Sequence, residues 1–189
     1  MNKKILQTLE FNKIIQAVAN LAASDLGKEQ VLMLSPSISK EEIEVWQDET
    51  EDGTKVLKLR GRMPIPKLQN VRPHLKRLDI GASLNGLEIA QIGKILRTTS
   101  EINRFFESLK ETGIEMNRLY DLAEKFITTP ALNQLIRETV DEDGRVMNDA
   151  SPALKGIRTG IKRGETNVRE KLDGIVRGKS AQYLSDTII

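Results

Sequence analysis

From Asn85 to about Thr112, apolar side chains return every three or four residues without a break: Ile89, Ile92, Ile95, Leu96, Ile102, Phe105, Phe106 and Leu109. This is the period of one α-helical face and fits no strand. Asn85 followed three residues later by Glu88 is a capping pair, in which each side chain satisfies a backbone amide that the first turn leaves orphaned. Gly113 closes the run, since a helix end readily takes a glycine. At about 1.5 Å per residue the helix is roughly 40 Å long, longer than most in compact domains, so it reads as a spine.

The flanking segments carry the same period. Phe11, Ile14, Ile15, Val18 and Leu21 predict a first helix over about Leu9 to Ala23. Ser24 caps a second with Val31, Leu32 and Leu34, which Ser35-Pro36 stops because the residue before proline is pushed out of the α region. Ser39 with Glu42 forms a capping box for a third, running past Ile43, Trp46, Val56 and Leu57 to Gly61, with Gly53 as a weak point. Arg62-Met-Pro-Ile-Pro66 is a rigid connector, Val71 to Leu78 a short helical turn, and Gly81-Ala-Ser a loop. Two shorter helices follow, around Leu119, Leu122 and Phe126 and from Pro130 through Leu132, Leu135 and Ile136. Asp141-Glu-Asp-Gly144 is then a turn between two extended strands, with Gly144 at positive φ.

The last helix is expected to begin at Ser151-Pro152, a hydroxyl cap followed by a residue preset for the first turn, and to reach about Leu184. Leu154, Ile157, Ile161, Val168, Leu172 and Ile175 place an apolar stripe along it that needs a partner surface. Its glycines are costly: Gly156, Gly160 and Gly164 lie four apart, as do Gly174 and Gly178, each worth about 0.5–1 kcal/mol against alanine. Either another backbone approaches that face or the helix is marginal and held by the rest of the molecule. Beyond it, Ser185-Asp186 reads as a turn and Thr187-Ile188-Ile189 as the opening of a strand without its mate. The chain is therefore expected to be part of something larger: an all-α bundle over residues 1–150, with a long protruding helix over 151–189.

Composition supports this fold and narrows the chemistry. Aromatics make up 4% of the 189 residues and charged residues 30%, so Leu and Ile at helical spacing carry the core. Without cysteine there is no disulfide and no thiolate chemistry, which fits a cytoplasmic setting. No apolar run approaches a membrane span or a secretory signal.

The net charge of +2 hides an uneven distribution. Glu41 to Asp52 holds seven acids and no base, whereas Lys55 to Leu78 holds eight Lys or Arg and no acid. A second positive zone, from Ser151 to Lys179, sets eight cations against Glu165, Glu170 and Asp173. Within it Lys162, Arg163, Arg169, Lys171, Arg177 and Lys179 are the candidate phosphate contacts. No aromatics interleave with them, so binding would be to nucleic-acid backbone or shape, not to stacked bases. Ordinary solvated helix faces give the same pattern.

Other apparent motifs dissolve on counting. Gly174-Ile-Val-Arg-Gly178-Lys179-Ser180 resembles a phosphate loop, but three residues separate its glycines where four are needed, and no strand precedes it. Asp141, Asp143 and Gly144 resemble a calcium loop, yet the glycine register puts Thr139 first and Ala150 in place of the bidentate Glu. His74 stands alone among Lys76 and Arg77, without a second metal ligand, and reads as a surface side chain. Carboxylate pairs such as Glu41 and Glu42 lie among too many charges to mark acid–base work. No catalytic, cofactor-binding or metal-binding residue stands out.

Several stretches together carry a family resemblance: Leu9-Glu-Phe-Asn-Lys-Ile-Ile, Leu26-Gly-Lys-Glu, Glu42-Ile-Glu with Gln47-Asp-Glu-Thr, Asp141-Glu-Asp-Gly, Ala150-Ser-Pro-Ala-Leu-Lys-Gly-Ile-Arg, and Val168-Arg-Glu-Lys-Leu with Lys179-Ser-Ala-Gln-Tyr-Leu. The chain closely resembles, over essentially its whole length, the amino-terminal part of bacterial MutS-like proteins of the second type. The resemblance implies the first part of a MutS-like helical core, with the last helix a lever toward a clamp. Gly160, Gly164 and Gly178 depart from it, standing where such relatives carry larger helix formers. It further implies an ATPase domain, with ATP and Mg, and a nuclease-like domain, all outside this chain. The implied partners are branched or double-stranded DNA, with restraint of recombination, or the ribosome and its rRNA in rescue of collided ribosomes. Family members also look like homodimers, formed through parts absent here. A stand-alone helical protein-interaction module is the competing reading.

Overall fold

In a computed structural model of the chain, residues 3–178 are described. They form nine helices: α1 (Lys3–Thr8), α2 (Phe11–Ala19), α3 (Asp25–Leu32), α4 (Lys40–Arg60), α5 (Arg72–Asp79), α6 (Gly86–Glu111), α7 (Leu119–Glu124), α8 (Pro130–Thr139) and α9 (Pro152–Arg177). No β-strand occurs among the described residues, so the fold is all-α.

Local sequence explains most of the boundaries. Ser24, Ser39 and Ser151 accept the amides of Gly27, Glu42 and Leu154, so each helix begins where a hydroxyl can take an orphaned donor. The Asn85–Glu88 box is complete in both directions. The Ser39 box is not, because the Glu42 carboxylate accepts the Ser37 hydroxyl instead of returning to its own cap. Gly61 and Gly113 take φ values of 75° and 73° just beyond α4 and α6. Gly53 sits inside α4 without breaking it.

The short helical element expected over Val71–Leu78 is α5, at Arg72–Asp79. Three expectations are corrected. The helix expected over Leu9–Ala23 is α2, which starts after Glu10 in the left-handed region at φ 53° and stops at Ala19, and an additional helix, α1, precedes it. The two strands around Asp141–Gly144 reduce to one antiparallel bridge, Val140 to Val146, although Gly144 does take positive φ, at 78°. The last helix ends at Arg177, short of the expected Leu184, because Gly178 leaves the helix for extended backbone at φ −90° and ψ −173°; the turn and strand expected beyond it lie outside the described residues.

The core lies where α4, α6 and α7 meet: Val56, Ile102, Phe106, Leu109 and Ala123 are buried against one another. Phe106 packs edge-on to Phe105 and Tyr120, with ring centroids 5.5 and 6.1 Å away. Asp52, fully buried in α4, accepts the amides of Asn117, Arg118 and Leu119 at 3.0, 2.7 and 3.1 Å and so caps α7 from a different helix. On the other side of α6, Gly93 lets α8 approach, since a Cβ there would lie 2.6 Å from Ile136 Cγ2. Where α6 begins, Gly86 and Leu87 lie against Gly144 too closely for either glycine to carry a side chain. The α2–α3 end is tied to the connector by a parallel bridge from Ser24 to Leu68, with Asp25 N–H donating to Leu68 O at 3.2 Å.

Candidate nucleic-acid interface

The 26 residues of α9 span about 39 Å. Among the described residues, its side-chain hydrogen bonds and ion pairs to the rest of the chain come from its first two turns. Arg158 donates to the carbonyl of Val146 at 2.9 Å and to Asn148 Oδ1 at 2.7 Å, and Lys155 pairs with Asp149 at 2.8 Å. The hydrogen bond from Asp149 and its charge hold the Lys155 ammonium above the usual lysine range. Past that anchor the apolar stripe is uncovered: Ile157, Ile161, Val168, Leu172 and Ile175 are between 41% and 61% exposed. The glycine face is equally open, with nothing within 4 Å of a Cβ built at Gly156, Gly160, Gly164 or Gly174. Among the described residues, then, no other backbone approaches these four glycines.

The candidate phosphate contacts fall on more than one edge. Seven residues make about 20° less than two full turns and climb about 10.5 Å, so Lys162 and Arg169 share an edge with Lys155. Arg163 and Arg177, fourteen apart, form a second edge roughly 90° round from the first. Lys171 lies apart from both, on the glycine flank beside the apolar stripe. Lys179 lies outside the described residues. Lys162, Arg163, Arg169, Lys171 and Arg177 are all exposed, and none has an acidic partner among the described residues. An unpaired cation can exchange its counterions for phosphates without first breaking an ion pair.

In the other basic zone, Lys55 and Arg77 are committed to acids inside the chain. Lys55 lies 3.0 Å from Glu51 and 3.7 Å from Asp52; its hydrogen bond with Glu51 leads the effects that raise it above the usual lysine range. Arg77 binds Glu88 and the carbonyl of Ser83. His74, expected at the surface, is instead held between α5 and α6: Nε2 is 2.8 Å from Gln91 Oε1 and Nδ1 is 3.5 Å from Glu88, with 18% of the side chain exposed. The backbone amide of Asn85, with Arg77 and His74, keeps the Glu88 carboxyl below its ordinary value.

Two residues that organise this region carried no recognisable sequence signal. Arg158 reads as one more helix cation, and its tether depends on where the Val146 carbonyl sits. Asp52 is one of seven neighbouring acids, and its partners lie more than sixty residues away.

Other motifs resolve structurally. Asp141 Oδ1 accepts the amides of Asp143 and Arg145, which accounts for the acidic turn without a cation. Gly174 to Arg177 lie within α9, where backbone amides bond to the preceding turn and cannot cradle phosphates; Lys179 and Ser180 are outside the described residues. The described residues offer no nucleotide loop that would hold ATP and Mg. Among them no helix is long and apolar enough to cross a membrane.

No family model matches the chain. Over its full 189 residues it is 47% identical to Endonuclease MutS2 of Enterococcus faecalis and 43% identical to that of Latilactobacillus sakei. It is 41% identical over 190 residues to Endonuclease MutS2 of Listeria monocytogenes. In each case the whole chain is covered and spans 24% of the relative's length.

Proposed function

The chain belongs by sequence to the MutS2 family, and we propose that it serves such a protein as a helical core segment carrying a nucleic-acid-binding lever. In this reading residues 1–150 are the core segment and 151–189 the lever leading to a clamp. The piece itself is catalytically silent. ATP hydrolysis with Mg and the endonuclease chemistry in the relatives' name belong to other parts of a full-length protein, which acts as a cytoplasmic homodimer.

The observation that carries the reading is the set of exposed, unpaired cations on α9, four of them on two edges and Lys171 apart, along a helix about 39 Å long. They can neutralise backbone phosphates but have no planar partners for reading bases, so recognition is of charge and shape. Branched or double-stranded DNA fits, in keeping with restraint of recombination. A ribosomal RNA helix presents the same phosphate field and is the alternative partner.

The test titrates the full chain into a labelled four-way DNA junction, a linear duplex of equal length and an rRNA hairpin, all at one salt concentration. Tighter binding to the junction than to the duplex supports the DNA reading. Preference for the hairpin supports the ribosomal one. No binding to any of the three removes the nucleic-acid function of this segment.

A second reading rests on the uncovered apolar stripe of α9. Exposed Ile and Val in a continuous line mark a surface for another protein element, so one helix could present a protein-facing stripe and nucleic-acid-facing edges together.

A further inference from the structure

A cleft of about 390 Å³ opens between the connector at Lys67–Gln69 and the first half of α6, with the Asp141–Gly144 turn at its rim. Leu68, Leu87 and Ala90 make its apolar lining, and Lys67, Lys94 and Arg97 bring three cations into it. The fold assembles this set from distant residues: the Ser24–Leu68 bridge fixes the connector, and the close Gly86–Gly144 approach fixes the turn.

The charges are unbalanced. Lys67 and Lys94 are exposed and have no acidic partner among the described residues. Arg97 Nη1 meets Glu142 Oε1 at 3.2 Å, but its Nε is buried without any hydrogen-bond partner. The side chain is 42% exposed as a whole, so the rest of its fork stays open to a ligand while this one donor is left unsatisfied. The acids at the rim do not cancel the cations: Asp143 pairs with Arg145 at 3.5 Å, and the Glu142 side chain is 86% exposed. Such an exposed carboxylate is a weak, replaceable partner.

We propose that this cleft is a binding site for a phosphate monoester carried on an apolar or aromatic body. Two charges on the phosphate match Lys67 and Lys94, while the planar Arg97 fork takes an oxygen now occupied by Glu142, which swings out. Gln69 and Gln91, also in the lining, supply neutral donors. The apolar lining receives the body of the ligand; a carboxylate, singly charged, would leave a lysine unmatched. Such a group occurs on a free mononucleotide and at the 5′ end of a nucleic-acid strand. The site is separate from α9.

The test is calorimetric titration of the full chain with AMP, adenosine and inorganic phosphate, and with a ten-nucleotide strand bearing either a 5′-phosphate or a 5′-hydroxyl. AMP binds and adenosine does not. K67Q/K94Q weakens AMP by at least about tenfold; E142Q tightens it several-fold by removing the competing carboxylate. K58Q/K76Q, which removes the same charge elsewhere, and K162Q/R169Q on α9 leave it unchanged. If the 5′-phosphorylated strand binds better than its hydroxyl twin, the physiological source is a strand end; if the two are equal while AMP binds, it is a free nucleotide. Absence of AMP binding, equal binding of adenosine, or equal losses in K67Q/K94Q and K58Q/K76Q overturns the site.

Discussion

The carboxylate of Asp52, in the middle of α4, accepts the backbone amide of Arg118 at 2.7 Å across 66 residues of sequence. Together with the amides of Asn117 and Leu119 it gives α7 a cap that its own sequence lacks. A carboxylate at the amino end of a helix also meets the positive end of the backbone dipole. α7 is six residues long and could not persist alone, so this one side chain holds it where its Ala123 packs into the core beside Phe106 of α6.

Replacing Asp52 with alanine strands three amides in a buried site and is expected to lower unfolding free energy by about 3 kcal/mol or more. Asp52→Asn retains one acceptor oxygen and loses less. Urea unfolding of the three proteins measures the order: wild type, then D52N, then D52A.

The same residue sets an acid limit. Burial pushes the Asp52 carboxyl up, but the three amides and Lys55 outweigh it and hold it below the ordinary Asp value of 3.8. A carboxyl depressed in the folded state contributes stability that is complete above about pH 5 and is lost as pH falls through the folded value. Wild type should lose stability below pH 4 more steeply than D52N, whose curve lacks this contribution. Unfolding midpoints between pH 3 and pH 7 decide; parallel curves would remove Asp52 from the account.

How far the sequence reveals the fold depends on the range of the interaction. Ser24, Ser39, Asn85 and Ser151 are legible because a cap and its amide lie within three residues of each other. Glu42 shows the limit even there, since a hydroxyl five residues earlier competes for its carboxylate. Asp52, His74 and Arg158 are misread or missed because each is defined by a partner on another element, which no periodicity encodes. The candidate site divides in the same way. That α9 is basic can be counted in the sequence, whereas the cleft around Arg97 exists only once the connector and the acidic turn meet α6.

The glycines of α9 supply an opposite prediction. At Gly160 and Gly164 a methyl group meets open space in helical backbone. Alanine at each should raise the helical content of the chain and stabilise α9 by about 0.5–1 kcal/mol per site. Circular dichroism of G160A/G164A measures it; a loss of helix would mean that the glycines answer a contact made within the chain.

Gly144 is different in kind. Its φ of 78° and its close approach to Leu87 leave no room for a Cβ. G144A is expected to destabilise by about 2 kcal/mol, through strain and separation of the turn from α6. Because Val146, whose carbonyl holds Arg158, bridges to Val140 directly across this turn, amide exchange in the first turns of α9 should accelerate in the variant.

The central claim, that the unpaired cations of α9 contact nucleic-acid backbone, is tested most directly by the salt dependence of binding of the full chain to a DNA junction. Four to five phosphate contacts give a slope of log K against log salt of about −4, and K162Q/R169Q should flatten it by about two. A slope near zero, or one that the double substitution leaves unchanged, would contradict the account.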